Sequence, residues 1–163
     1  MSRELGTRIP SDLAGRISSP EPAAKAVPLI SLDGQGFPHV ALLSYFEIFL
    51  LREQVYFFIQ SASRTARNLE RAQKCTLIFA HRDFIYYLKG RVRRVGVRLP
   101  QTLYRIETAS ISEDFPAADE SEAVLTSGIR FHSDAEDTRR RLRLRSDMVE
   151  FATEEERQKG KKP

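Results

Sequence analysis

Val55-Tyr56-Phe57-Phe58-Ile59-Gln60-Ser61-Ala62-Ser63-Arg64-Thr65-Ala66-Arg67-Asn68-Leu69-Glu70-Arg71 changes its period half-way along. Val55 to Gln60 has the β-branched and aromatic content of a buried strand. From Ser61 the pattern is helical: Ala62, Ala66 and Leu69 recur at i, i+4 and i+7, and Ser61 or Ser63 is placed to cap the first turn. A strand that runs directly into a short helix puts unpaired N–H groups and the positive end of a helix dipole beside a sheet, a position that attracts phosphate. Ser61, Ser63 and Thr65 add hydroxyls. Arg64, Arg67, Asn68 and Arg71 fall at i, i+3, i+4 and i+7, which predicts three guanidinium groups and an amide on the face opposite the apolar stripe. The same spacing also suits an ordinary solvated helix face, and no glycine-rich phosphate loop accompanies it.

Strands are predicted on both sides of this segment. Upstream, Val27 to Leu32, the turn Asp33-Gly34-Gln35-Gly36 and the run His39 to Leu51 form a hairpin. Downstream, Cys75 to Ala80 and Phe84 to Val95 pair antiparallel across the polar turn His81-Arg82-Asp83, and Leu103 to Ser112 gives a sixth strand. Six strands with one inserted helix favour a closed or nearly closed antiparallel barrel, since closure removes the edges; a sandwich is the alternative. The first 25 residues, with Pro10, Pro20 and Pro22, read as an irregular arm with at most a short helix near Ser11 to Ile17. Beyond Pro116, Glu120 to Leu125 offers a helical turn and Asp134 to Phe151 a helix, followed by a charged, frayed tail from Thr153 to Pro163. With 163 residues, 41% hydrophobic and 29% charged, a single domain spanning residues 1–163 is expected.

Composition narrows the function. No apolar run reaches the ~18 to 20 residues of a membrane helix, and Met1 to Ile9 carries Arg3, Glu4 and Arg8 where a signal peptide needs an apolar core, so a cytoplasmic protein without a membrane partner is expected. The lone cysteine, Cys75, lies in an apolar strand and reads as a packing thiol. His39, His81 and His132 have no metal-ligand spacing, so no metal site is expected. The net charge of +4 is uneven: Glu107 to Ala123 has six acids and no base, and Thr138 to Arg145 has five arginines. Arg139-Arg140-Arg141-Leu142-Arg143-Leu144-Arg145 lacks aromatic interleaving, and the acidic stretch offers it an internal partner, so a structural or intersubunit role is favoured over nucleic acid.

The run from Leu29 to Val95 resembles the core of the pyridoxamine 5′-phosphate oxidase-like, FMN-binding split barrels. The resemblance rests on the Asp33-Gly34 hairpin leading to Pro38-His39-Val40-Ala41-Leu42-Leu43-Ser44, the strand Val55 to Gln60, Ser63-Arg64-Thr65 with Asn68-Leu69, the strand Thr76 to Ala80, and Tyr86 to Arg93 around Gly90. It implies a mainly β fold, a six-stranded antiparallel split β-barrel with a short inserted helix and a C-terminal helix. It also implies that His39, Val40, Ala41, Leu42, Leu43 and Ser44 line the flavin ring, that Phe58, Ile59 and Gln60 meet the ring or ribityl chain, and that Ser63, Arg64 and Thr65, with Asn68, hold the phosphate. Where many relatives have lysine and another basic residue, this chain has Thr65 and Ser44; each departure removes a charge directed at the phosphate unless Arg67 or Lys89 substitutes.

The function implied is a flavin-dependent oxidoreductase acting on a small molecule, with FMN carrying the redox step. No paired carboxylates, triad or nucleophile elbow nominates a catalytic side chain. The alternatives are a flavin- or haem-binding module without turnover, with His39 or His81 as the axial ligand, and an oxidoreductase using the deazaflavin F420. A homodimer is expected, because a barrel this small exposes apolar strand faces around Tyr86 and Tyr87 and the resemblance implies a flavin site built between two chains. Lys89, Arg91 and Arg93, on one strand face, then reach the neighbouring site or are simply solvated.

Overall fold

A computed structural model of the chain describes residues 2–19, 26–80, 84–115, 129 and 134–160. The fold is a mainly antiparallel split barrel; five of the six predicted strands are present, the other, His39 to Leu51, divides in two, and one unpredicted strand joins at the N-terminus. Eight strands occur among the described residues: β1 (Ser2–Gly6), β2 (Ala26–Leu32), β3 (Pro38–Ser44), β4 (Ile48–Leu51), β5 (Gln54–Gln60), β6 (Lys74–Ala80), β7 (Ile85–Arg98) and β8 (Gln101–Asp114). The helices are α1 (Ser11–Ser18), α2 (Arg64–Ala72) and α3 (Ala135–Lys159). Hydrogen bonding runs in the order β3-β2-β6-β7-β8-β5-β4, with β1 added along β8. The path therefore ends in β3 on one side and β4 on the other, which is the split.

The long run His39 to Leu51 is two strands and not one. A 3₁₀ turn, Tyr45–Glu47, separates β3 from β4, closed by a capping box in which the Glu47 carboxylate accepts from the Ser44 N–H at 2.6 Å. The β2–β3 hairpin is set by Asp33, whose Oδ1 accepts from the N–H groups of Gln35 and Phe37, both at 2.9 Å. These two donors hold its carboxyl below the usual range.

β5 explains its own unbroken apolar sequence, because both of its faces are covered. Val55, Phe57 and Ile59 point into the main core with Val27, Leu29, Leu77, Leu88 and Ile106. Tyr56 and Phe58 point the other way, into a second core with Phe49, Leu103, Met148 and Ala152 beneath α3. Docking of α3 requires a glycine at one point: a Cβ on Gly96 would lie 2.6 Å from the Phe151 ring, at a bulge in the β7–β8 ladder.

The described part of the N-terminal arm, residues 2–19, forms a strand and a helix. Its strand escaped the sequence pattern because β1 is held by backbone pairing to β8 while its side chains stay largely exposed, with Arg3 bonded to Glu113 at 2.5 Å. The helix expected near Ser11 to Ile17 is α1, and its Leu13 and Ile17 are completely buried. At the other terminus, α3 runs on through Thr153 to Lys159 where a frayed tail was expected. Glu156 supplies the reason: its carboxylate pairs with Arg105 at 3.2 Å, both side chains being mostly buried.

Arg140, Arg141 and Arg145 of the arginine cluster find partners within the chain; of the acidic stretch expected to pair with it, residues 116–123 lie outside the described residues. Arg140 and Arg141 bond Asp137 at 2.8 and 2.7 Å. Arg145 donates to the carbonyls of Tyr45 at 2.9 Å and Ile17 at 2.6 Å, and also to those of Ile48 and Phe46. Burial lowers its pKa to about 10, which leaves it charged at neutral pH. Glu107 pairs instead with Arg93 and Arg105. The expected turn at Glu120 to Leu125, the turn at 81–83, and His81 and His132 lie outside the described residues. Among the described residues no helix is long and apolar enough to cross a membrane. Cys75 is buried, and desolvation pushes its thiol up to about 12, as suits a packing residue.

Arg145→Ala strands several buried carbonyls at once and should cost about 3 kcal/mol or more in urea unfolding, whereas Arg143→Ala, at an exposed position, should stay within about 0.5 kcal/mol. A chain ending at Ala152 should lose about 1 to 2 kcal/mol, the Arg105 guanidinium having lost Glu156; unchanged unfolding would mean that the last turns of α3 do not dock.

Candidate functional site

The site is built where β5 hands over to α2 and where β3 forms the edge of the sheet. Ser63 is the N-cap of α2, its Oγ accepting from the Ala66 N–H at 3.0 Å. Ser61 is used differently, as acceptor for the Thr102 hydroxyl at 2.8 Å. α2 packs mainly on β2 and more lightly on β3 and β5, so its start stands beside the beginning of β3.

The predicted gripping face of α2 divides into two. Asn68 does not lie with the arginines: it is buried with Thr65, Ala66 and Leu69, and its amide donates to the Ser31 hydroxyl at 3.4 Å. Thr65 is buried as well, with Oγ1 3.3 Å from His39 Nε2. Two of the three guanidinium groups are engaged by the chain itself, Arg67 on the Ala62 carbonyl at 3.1 Å and Arg71 on the Leu32 carbonyl at 2.7 Å. Arg64 is exposed, in the first turn, and has no hydrogen bond or ion pair among the described residues.

β3 alternates as its position demands. His39, Ala41 and Leu43 turn toward α2 and the core, while Val40 and Leu42 face outward with 54% and 41% of their surface exposed. Because β3 ends the hydrogen-bonded path, the backbone groups of its outer edge have no strand partner among the described residues. Ser44, at the end of β3, is buried; its hydroxyl lies 3.1 Å from Glu47 and 3.5 Å from Arg141 of α3. A basic side chain is thus present beside Ser44, supplied from nearly a hundred residues away, and it is shared with Glu47 and Asp137. Burial raises the Glu47 pKa against the lowering effect of Ser44 and Arg141.

The strand residues divide similarly. Gln60 is exposed at the end of β5. The Ile59 side chain is in the main core, and that of Phe58 is in the second core under α3, 1% exposed. Neither side chain faces the edge of β3, so contact from this pair to a molecule there is confined to the backbone. Sequence reading missed Ser31, whose hydroxyl links the His39 carbonyl at 3.4 Å to Asn68. The signal was available: Ser31 is a polar residue at an inward position of the apolar strand Val27 to Leu32.

The profile of the pyridoxamine 5′-phosphate oxidase family matches residues 18–124 of the 163, which takes in every residue of this arrangement except Arg141 and its partner Asp137. The chain belongs to that family. Solved structures similar to this pyridoxamine 5′-phosphate oxidase family member include HupZ from Group A Streptococcus, with a TM-score of 0.54 and 14% identity over 65% of this chain and 99% of that one. A conserved hypothetical protein from Mycobacterium tuberculosis gives 0.52 and 12%, over 69% and 89% of the two chains. The heme storage protein HutZ from Vibrio cholerae gives 0.50 and 14%, over 66% and 96%. Identities this low show the fold alone. No curated protein matches the sequence.

The division of α2 has a direct consequence for stability. Asn68→Ala leaves the buried Ser31 hydroxyl short of a partner and should cost about 1 to 2 kcal/mol in chemical denaturation. Arg64→Ala should fall within about 0.5 kcal/mol of the parent, since nothing in the fold leans on it. The reverse order would place Arg64 in the structural framework and Asn68 outside it.

Proposed function

We propose that the chain binds FMN in the angle between β3 and the start of α2 and works as a flavin-dependent oxidoreductase on a small molecule. The observation that carries this reading is Arg64, an exposed guanidinium without a protein partner among the described residues, on the first turn of a helix capped by Ser63 and next to an open strand edge. A phosphate set against that turn meets free N–H groups, the positive end of the helix and one uncommitted cation.

The donor set fits the group in part. The outer side of His39 to Ser44 offers apolar contact through Val40 and Leu42 and free backbone groups for the polar edge of a flavin ring. Ala41 and Leu43 back that strand from within. Gln60 is placed for the ribityl chain, and Phe58 and Ile59 hold β5 straight behind it from the two cores. Ser63 and Thr65 contribute through the backbone first, because their hydroxyls already face Ala66 and His39. Asn68 acts at one remove, fixing Ser31 and through it the carbonyl of His39. Bound there, the flavin supplies the redox chemistry; the chain binds it, orients it and keeps water from one face.

The same reading takes the protein to be a cytoplasmic homodimer, its outer sheet face of half-exposed Ile30, Ile78 and Tyr87 beside Val40 covered by a second copy. A module that holds flavin or haem without turnover is the second reading. It is favoured by His39 standing at the site and by the fold shared with the heme storage protein HutZ. F420, which also carries a phosphate at the corresponding place, is the third.

The purified protein's absorption separates flavin bands from a Soret band. In titrations of flavin fluorescence, Arg64→Ala should weaken FMN by about ten- to a hundredfold, the equivalent of one charge-assisted hydrogen bond, and leave riboflavin nearly unchanged. Equal loss for both ligands would remove the phosphate from this helix.

A further inference from the structure

The β2–β6 ladder is short. Its pairs are Leu29 with Leu77 and Ile30 with Thr76, and it stops before Ser31 and Leu32 on one side and Cys75 and Lys74 on the other. Between the parted strands lies a cavity of about 400 Å³. Ile30, Leu32 and Ala109 give it apolar walls, and Lys74, Lys89 and Arg91 stand around it.

The register makes these three cations neighbours. On the β6–β7 ladder Lys74 lies directly opposite Arg91, and Thr76 opposite Lys89. Like charges in opposed positions of an antiparallel pair destabilise it. The sheet contains a second such pair, Arg93 opposite Arg105 on the β7–β8 ladder, and there acids intervene. Glu107 bonds the two arginines at 3.1 and 3.6 Å, and Glu156 bonds Arg105 at 3.2 Å. Lys74, Lys89 and Arg91 have no ion pair among the described residues; Glu107, opposite Arg91 on β8, is the one already bonded to Arg93 and Arg105.

A bulge completes the shape. Lys89 faces Ser110 and Gly90 faces Thr108, so Ala109 is the extra residue, exposed at the cavity. Gly90 admits no side chain, since a Cβ would meet Ile106 Cγ2 at 2.4 Å and the Glu107 carbonyl at 2.6 Å. Bulges of this kind re-aim the side chains next to them, and this one lies between Lys89 and Arg91.

We propose that this split is a binding pocket for a small organic anion, a carboxylate or phosphate held by Lys74, Lys89 and Arg91 with an apolar body against Ile30 and Leu32. The volume is at the lower end of the range for small-molecule sites. Ile30 is the register partner of Val40, so the pocket opens one strand, roughly 5 Å, from β3. If the flavin reading above holds, the pocket takes an anionic substrate beside the ring; it shares Ile30 with the face given there to a second copy, but its three cations are not used by that reading and are tested apart from it.

Phenyl phosphate, phenylacetate and benzyl alcohol titrated into the full chain without added flavin test it. Phenyl phosphate or phenylacetate should bind saturably and benzyl alcohol should not, and Lys89→Gln or Arg91→Gln should weaken the anion by about tenfold or more. Without ligand, Lys74→Thr should raise the melting temperature by relieving the opposed charges, a result that a merely solvated strand face would not give. Arg64→Ala should leave anion binding unchanged. Equal binding by the parent and both pocket variants, or no saturable binding at millimolar anion, overturns the proposal. Loss of phenyl phosphate binding in Arg64→Ala alone moves the anion to α2, which overturns the pocket and leaves the flavin reading standing.

Discussion

One half-buried guanidinium holds the split barrel closed at its far end. Arg145 gathers carbonyls from α1, from the 3₁₀ turn between β3 and β4, and from the start of β4, tying α1 to the turn and the strand that follows it. The Ile48 N–H already closes the turn onto the Tyr45 carbonyl, and Arg145 adds a charged donor to that oxygen while reaching the other three. This fixes where β3 stops and β4 begins. It also seats α3, after which Phe151 settles on Gly96 and the second core closes over Phe49, Tyr56 and Phe58. The candidate site profits indirectly: α3 covers the part of the sheet face formed by β4, β5 and the start of β8, and leaves the outer residues of β3, such as Val40 and Leu42, exposed.

The β elements were legible because their side chains alternate between different surroundings, or, in β5, because both surroundings are apolar. The hairpin at Asp33 and the helix after Gln60 announced themselves through turn and capping residues whose chemistry is local. Elements stabilised from a distance were not legible in the same way. β1 is fastened through backbone groups, and nothing in Ser2–Gly6 alternates. The end of α3 is fastened by one carboxylate, Glu156, which in sequence looks like any other acid in a charged tail.

The site was half legible for the same reason. Serine at a helix start and an unpaired arginine in the first turn are local features, and the structure places them as read. The face of α2 was misjudged at Asn68, because helical spacing says which residues lie together and not which side meets the sheet. Ser44 shows the limit most clearly. The absence of a basic residue there is visible in the sequence, but the guanidinium beside it comes from Arg141, far along the chain. Its engagement with Asp137 and Glu47 follows from packing that no local pattern encodes.

An open strand edge carries a cost in the ligand-free chain. Among the described residues β3 ends the sheet with N–H and C=O groups that no strand uses, and it presents Val40, Leu42 and the adjoining Phe37, the last 64% exposed. Such an edge is a template for adding another strand, from a second molecule as readily as from a proper partner. No proline within β3 past its first residue and no lysine guards it. Whatever covers β3 in the working protein therefore also acts as its protection against aggregation, and a chain left with this strand bare would first stick to itself along it.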